Sequence, residues 1–321
     1  MVSLRTFLTG GLLAIGALAS HSHLEKRAVN PGPVKGDTFI HDPTVVKKPD
    51  GTYLAAFTAN GVGLKTSTDR TTWKDVGAAF PNGASWTTTY TKGDKNLWAP
   101  DLSYHNGQYY MYYSASSFGT SRSGIFMATS KTGASGSWTN QGLVIESFAN
   151  SNWNAIDPNL YVASDGKWWL AFGSFWGGLK LVELSPKTGK PINANNLISI
   201  AARPNNGGAI EAPVITKHGN YFYLWAAFDA CCKGVDSTYR TMVGRSTSIT
   251  GPYVDKAGVS MMNGGGTQLL ASHGDVHGPG HPAVFTDSDA DVLVYHYYNA
   301  QGDARLGINL VRYDNGWPTV Y

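Results

Sequence analysis

Asn154-Ala155-Ile156-Asp157-Pro158-Asn159, then Trp168-Trp169-Leu170-Ala171-Phe172, then Gly178-Leu179-Lys180-Leu181-Val182: this stretch sets a carboxylate beside proline ahead of two short runs of strand length. The first run is wholly apolar and a glycine opens the second, so both read as strands bounded by turns. The same order recurs along the chain. Aromatic or aliphatic runs begin at Tyr53, Tyr109, Trp168, Tyr221 and Val292, at spacings of 56, 59, 53 and 71 residues. A second strand follows each, over Gly61–Lys65, Gly124–Ala128, Gly178–Val182, Thr241–Arg245 and Leu306–Leu310. A unit of this length holds about four strands, and stacking such sheets radially around a channel protects their edges. The expectation is an all-β fold, a five-bladed β-propeller. A two-sheet sandwich is the rival arrangement, and no sustained helical periodicity competes with either.

Composition agrees with strands. Of 321 residues, 38 are Gly, 10 Trp, 17 Tyr and 12 Phe, and 15% are charged, the make-up of aromatic strands joined by glycine turns. Lys and Arg number 25 against 22 Asp and Glu, a net charge of +3. With no basic run among the aromatics, nucleic acid is not an expected partner; an uncharged ligand is. At the start, Arg5 precedes an apolar run from Phe7 to Ala19 that ends Ala17-Leu18-Ala19, the pattern of a signal peptide over residues 1–19. That run falls short of the roughly 20 residues of a membrane span and is broken by glycines, so no membrane partner is expected. The dibasic Lys26-Arg27 resembles a processing site. A propeptide over residues 20–27 and one catalytic domain over 28–321 follow, in a secreted, extracellular, monomeric protein. Cys231 and Cys232 are the only cysteines; being neighbours they cannot staple distant segments, and both a disulfide between them and two free thiols are open readings.

Polar residues recur upstream of the aromatic strands: Asp42 in His41-Asp42-Pro43, Asp101 in Trp98-Ala99-Pro100-Asp101, Asp157, Glu211 in Glu211-Ala212-Pro213, and His281 in Gly278-Pro279-Gly280-His281-Pro282. Their offsets to the strand starts are 11, 8, 11, 10 and 11 residues. If each lies on the innermost strand of its blade, all five converge at one end of the channel. Taken singly, an Asp-Pro or Glu-Ala-Pro is turn chemistry that repeats because blades repeat. Taken together, carboxylates crowded in apolar-flanked segments raise one another's pKa by repulsion and desolvation. Glycosidic cleavage needs that arrangement: a protonated acid for the leaving oxygen, an ionised carboxylate for water, and a third carboxylate to tune the acid.

At these motifs the chain resembles the arabinanases of glycoside hydrolase family 43, over nearly the whole region after the leader. The further matching landmarks are Leu97-Trp98-Ala99-Pro100-Asp101 and Gly173-Ser174-Phe175-Trp176-Gly177-Gly178. The resemblance implies endo-hydrolysis of α-1,5-L-arabinofuranosidic bonds in arabinan, a plant cell-wall polysaccharide, with inversion of configuration. It makes Asp42 the general base, Glu211 the general acid and Asp157 the residue that orients Glu211. Asp101 is not among the catalytic three and is read as support on an inner strand. Trp98, Phe118, Asn154, Ser174 and Phe175 are the expected substrate contacts, aromatic faces stacking on the furanose ring while polar groups orient it.

His273, His277 and His281 recur every four residues, but Gly274, Gly278, Pro279 and Gly280 forbid the helix that would align them, so zinc is not expected. The resemblance implies instead a largely water-coordinated structural calcium touching His281, and no organic cofactor. The other reading of His281 is a hydrogen-bonding partner of the substrate or the carboxylates. An exo-acting arabinofuranosidase or β-xylosidase of the same fold, and a non-catalytic sugar-binding propeller, are the alternative functions.

Overall fold

The computed structural model describes residues 28–321; the expected signal peptide and propeptide, residues 1–19 and 20–27, lie outside the described residues. Five sheets follow one another along the chain as the five blades of a propeller, antiparallel except where Lys35–Gly36 pairs parallel with Thr72 and Trp73 on the outer edge of the first. Blade 1 runs outward from Thr44–Lys47 through Tyr53–Phe57 and Gly63–Ser67 to Thr72–Ala78. Blade 2 is Asn96–His105, Gln108–Ala115, Ser123–Ser130 and Thr139–Ser147, and blade 3 is Asn159–Val162, Trp168–Phe172 and Leu179–Ser185, with Ile198–Ala201 outermost. Blade 4 is Ile210–His218, Tyr221–Phe228, Arg240–Ser246 and Thr267–Leu270; blade 5 is His277–Thr286, Asp291–Tyr298, Ala304–Asp314 and Trp317–Val320. The expected aromatic strands therefore start within one residue of their observed positions.

Those strands are apolar on both faces because each blade is packed on both sides. In blade 2, Met111 and Tyr113 join a cluster with Leu54 and Leu64 of blade 1, while Tyr112 between them joins Leu170 and Phe172 of blade 3. The period of two along a strand thus sends alternate side chains to opposite neighbours. The blade 5 to blade 1 seam is built the same way, with Val292, Val294 and Leu306 against Val45, Phe57 and Trp73. Among the described residues no strand is shared across this seam. Backbone bonds from Gly32 N–H to Ile308 O (2.8 Å) and from Leu306 N–H to Thr38 O (2.9 Å) close it. Asp287, with its side chain buried, accepts from Tyr53 Oη at 2.6 Å and Arg70 Nη1 at 2.7 Å and pairs with Lys47.

One local device repeats in every blade. The residue before the inner-strand proline has a left-handed backbone: Asp42 (φ 50°), Ala99 (43°), Asp157 (58°), Ala212 (54°) and His281 (53°). Proline has no N–H for the ladder: pairing skips between Trp98 and Asp101, between Glu211 and Val214, and between Gly280 and Ala283, a bulge at the proline in blades 2, 4 and 5, while in blades 1 and 3 the inner strand begins just after it. The freed N–H of the left-handed residue bonds across to the preceding blade: Asp42 to His296 Nδ1 (3.1 Å), Ala99 to Thr58 Oγ1 (2.8 Å), Asp157 to Ser114 Oγ (3.0 Å), Ala212 to Asp157 Oδ2 (3.1 Å). Just past the proline, oxygens of Thr44, Asp101 and Asn159 accept N–H groups of the following blade, from Leu102 (3.2 Å), Leu160 (2.8 Å) and Ile215 (2.9 Å).

This corrects one expectation. The five polar residues are not equivalent: Asp42, Asp157 and His281 share the left-handed position, Glu211 stands one residue before it, and Asp101 follows its proline. Asp101 faces blade 3, where Asn159 Nδ2 (3.1 Å) and Leu160 N–H donate to it. It therefore supports the ring rather than joining the acids.

Candidate active site

Asp42 sits among imidazoles. His281 Nδ1 is 3.1 Å and His296 Nδ1 3.5 Å from its Oδ1, and Thr58 Oγ1 donates to Oδ2 at 2.6 Å. His41 Nδ1 lies 2.9 Å from Oδ2, but adjacency in the chain leaves it poorly aligned for a hydrogen bond, so that contact is chiefly electrostatic. Burial alone would raise the Asp42 pKa; attraction to His41 and His281 and the bonds it accepts outweigh this and hold it well below the usual carboxylate range. Burial, opposed by Asp42, depresses His281 and depresses His296 further, leaving both neutral. At His41 burial is outweighed by the Asp42 carboxylate and the pKa rises.

Glu211 has the opposite surroundings. Ser174 Oγ donates to Oε2 at 2.5 Å and Tyr239 Oη donates to Oε1. Burial raises its pKa; the two hydroxyls pull down and Asp42 pushes up, with a net rise. Burial first, then repulsion from Glu211 and Asp42, drives Asp157 well above its ordinary value, while the Ala212 N–H it accepts ties it to the residue beside Glu211. Tyr239 feels all three acids, and with burial they push its phenol well above its ordinary range, so it stays a donor. Its ring occupies the space where Gly280 has no side chain: a Cβ there would lie 2.4 Å from the ring. The second glycine of the Gly-Pro-Gly-His motif is thus what lets Tyr239 reach the acid.

The three predicted catalytic acids are each buried and brought close enough to repel one another. They do not bunch as a metal site would require: among the described residues the tight clusters are His41–Asp42–His296 and His41–Cys231–Cys232. Asn154 is buried with Oδ1 unpartnered, an acceptor free for a ligand three residues before Asp157. Trp98 is half-buried beside Ala99, whose N–H reaches Thr58. Phe175 is half-buried beside Ser174, and Phe118 stands 86% exposed on the loop between the second and third strands of blade 2. The Ser174 hydroxyl, expected on substrate, is committed to Glu211. His273 bonds Ala271 O and Asn30 Oδ1 and does not converge with His281. Sequence reasoning missed Thr58, Tyr239 and His296. His296 lies four residues into the run that begins at Val292 and was within reach; Tyr239 had no signal of its own.

Over residues 33–318 the chain matches the model of glycosyl hydrolases family 43. The chain belongs to glycosyl hydrolase family 43. Among relatives of this family 43 protein, the extracellular endo-alpha-(1->5)-L-arabinanase 1 of Bacillus subtilis is 45% identical over 87% of both chains. The extracellular exo-alpha-(1->5)-L-arabinofuranosidase of Cellvibrio japonicus is 38% identical over 88% of this chain and 86% of its own. The solved family 43 endo-arabinanase of Bacillus licheniformis superposes with a TM-score of 0.84 at 47% identity, over 89% of this chain and 99% of that one. As a family 43 member the protein is a glycoside hydrolase.

Proposed function

We propose that the protein is secreted and cleaves α-1,5-linked L-arabinofuranosyl bonds within arabinan, a pectin side chain, in one inverting displacement. The observation that carries this is the opposed surroundings of two buried carboxyls: Asp42 lies among imidazoles that pull its pKa down, whereas Glu211 is held by two hydroxyls where burial and Asp42 push its pKa up. Asp42 takes a proton from water as the water oxygen attacks the anomeric carbon; Glu211 gives its proton to the departing glycosidic oxygen. Asp157, fastened to the Ala212 N–H, orients the segment that carries Glu211. Trp98, Phe118 and Phe175 offer apolar faces for furanose rings and Asn154 an acceptor for a sugar hydroxyl. The fit of calcium follows from the donors: around His281 stand imidazoles and one carboxylate already engaged on both oxygens, whereas calcium takes about six to eight oxygens. A calcium ion fits only if it keeps most of its water and touches His281 through Nε2. Chelation should then lower the melting temperature and calcium restore it; no change on chelation argues against the ion.

Sizing the products from linear and branched arabinan, xylan and aryl glycosides tests the activity. Mixed short oligomers from linear arabinan, with the inverted anomer released first, are expected. Arabinose or a single short product from chain ends supports the exo reading that the Cellvibrio relative favours. Glu211→Gln should cut the rate about 10²–10⁴-fold while arabinan still binds; unchanged hydrolysis removes Glu211 from the mechanism.

A further inference from the structure

Cys231 and Cys232 are joined to each other as a disulfide. They lie on the loop between Phe228 and Arg240 in blade 4, whose base is pinned by Asp229, 2.7 Å from both Arg203 and Arg240, and by Thr238 N–H on Ala230 O at 2.8 Å. A bond between adjacent cysteines closes a small ring through their shared peptide, and Cys232 takes a left-handed φ of 69°, so the direction of its N–H is fixed. That N–H donates to Tyr298 Oη at 3.0 Å, and the same oxygen is 2.8 Å from His41 Nε2. Cys232 Sγ itself is 3.8 Å from His41 Nε2. On its other face His41 stacks on His296, with ring centroids 4.0 Å apart and 24° between planes. His41 is therefore held by the disulfide loop and Tyr298 on one side and by His296 on the other, with Nδ1 against Asp42.

We propose that the vicinal disulfide is a positioning element of the active site: it fixes the Cys232 N–H that, through Tyr298, holds the His41 ring against the base Asp42. Neither cysteine is a catalytic residue in this arrangement. Two buried groups would be released with the ring. Tyr298 loses a donor, and His41, 21% exposed in its side chain, gains freedom to swing from Asp42. Misplacement of the imidazole beside the attacking base affects the transition state more than ground-state sugar binding, so the loss belongs in kcat.

The inference rests on the arabinanase reading, and wild-type hydrolysis of linear arabinan is the control that separates the two: if the wild type cleaves nothing, the reading fails before the disulfide is tested. The folded enzyme is reduced with dithiothreitol, whose two thiols pass two electrons and two protons to Cys231 and Cys232 and become a cyclic disulfide. The freed thiols are trapped with iodoacetamide in one sample and reoxidised in another. We expect kcat to fall about tenfold with KM within about twofold, and to return on reoxidation. Cys231→Ser/Cys232→Ser and Tyr298→Phe should each give a similar loss, and together no more than either alone, because they act through one chain of contacts. Unchanged kcat in the trapped enzyme overturns the proposal. So does a loss confined to KM, which would make the disulfide a sugar contact, and so do losses that multiply when the variants are combined.

Discussion

Asp42 and Glu211 are both buried acids, yet their partners shift them in opposite directions: imidazoles and a threonine hydroxyl surround the first, a serine, a phenol and two more carboxyls the second. The phenol makes this testable. Tyr239 donates to Glu211 and favours its carboxylate form, so Tyr239→Phe should raise the Glu211 pKa further. With Glu211 as the proposed general acid, the alkaline limb of the pH profile reports loss of its proton, so that limb should move to higher pH, and kcat should drop as the carboxyl loses one of its two anchors. A limb unmoved or shifted to lower pH, measured on arabinan, contradicts this account. The residue types were legible as an acid and base set from their spacing. Which carboxyl carries the proton was not, because Thr58, Tyr239 and His296 come from other strands and loops.

At the scale of the element, the inner strand is defined by the left-handed residue before its proline. Left-handed φ at non-glycine residues costs on the order of 1 kcal/mol each. That cost is offset where the freed N–H finds an oxygen or imidazole nitrogen on the preceding blade, as at Asp42, Ala99 and Asp157. Asp101 belongs to this stapling. Burial pushes its pKa up to about 7 even though Leu160 N–H and Asn159 donate to it. Since the unfolded carboxyl titrates near 3.8, the folded state holds the extra proton between those values, and stability contributed below about pH 4 is lost as pH rises through 7. Asp101→Asn should therefore flatten the fall in melting temperature between about pH 4 and 8. An equally steep fall in the variant would show that Asp101 is not its source.

For the whole molecule, closure is the weak point of any ring, and here the ends meet without a shared strand. The seam relies on apolar packing and on Asp287, which Lys47, Arg70 and Tyr53 hold well below the ordinary carboxylate range against the pull of burial. A depressed pKa contributes stability that is present above the unfolded value and lost as pH falls through the folded one. Replacing Asp287 with Asn should lower the melting temperature at neutral pH by several degrees, leaving two cations facing a neutral amide. It should also remove much of the acid-induced loss below about pH 4. A variant as stable as wild type at pH 7 would place the closure in the apolar contacts and the backbone bonds of Gly32 and Leu306.

Chain order alone determined the five strand units, the positions of their aromatic strands and the three acids, because alternation, glycine turns and proline are local signals repeated five times. Tertiary structure decided what those signals could not carry: that Asp101 staples blades while Asp42 sits among imidazoles, that Ser174 bonds Glu211, and that Cys231 and Cys232 close a ring beside His41. The physical reason is that charge and orientation at a buried carboxyl are set by groups within about 3 Å, and a propeller draws those groups from blades far apart in sequence. His296 lies 254 residues from the Asp42 N–H that it accepts.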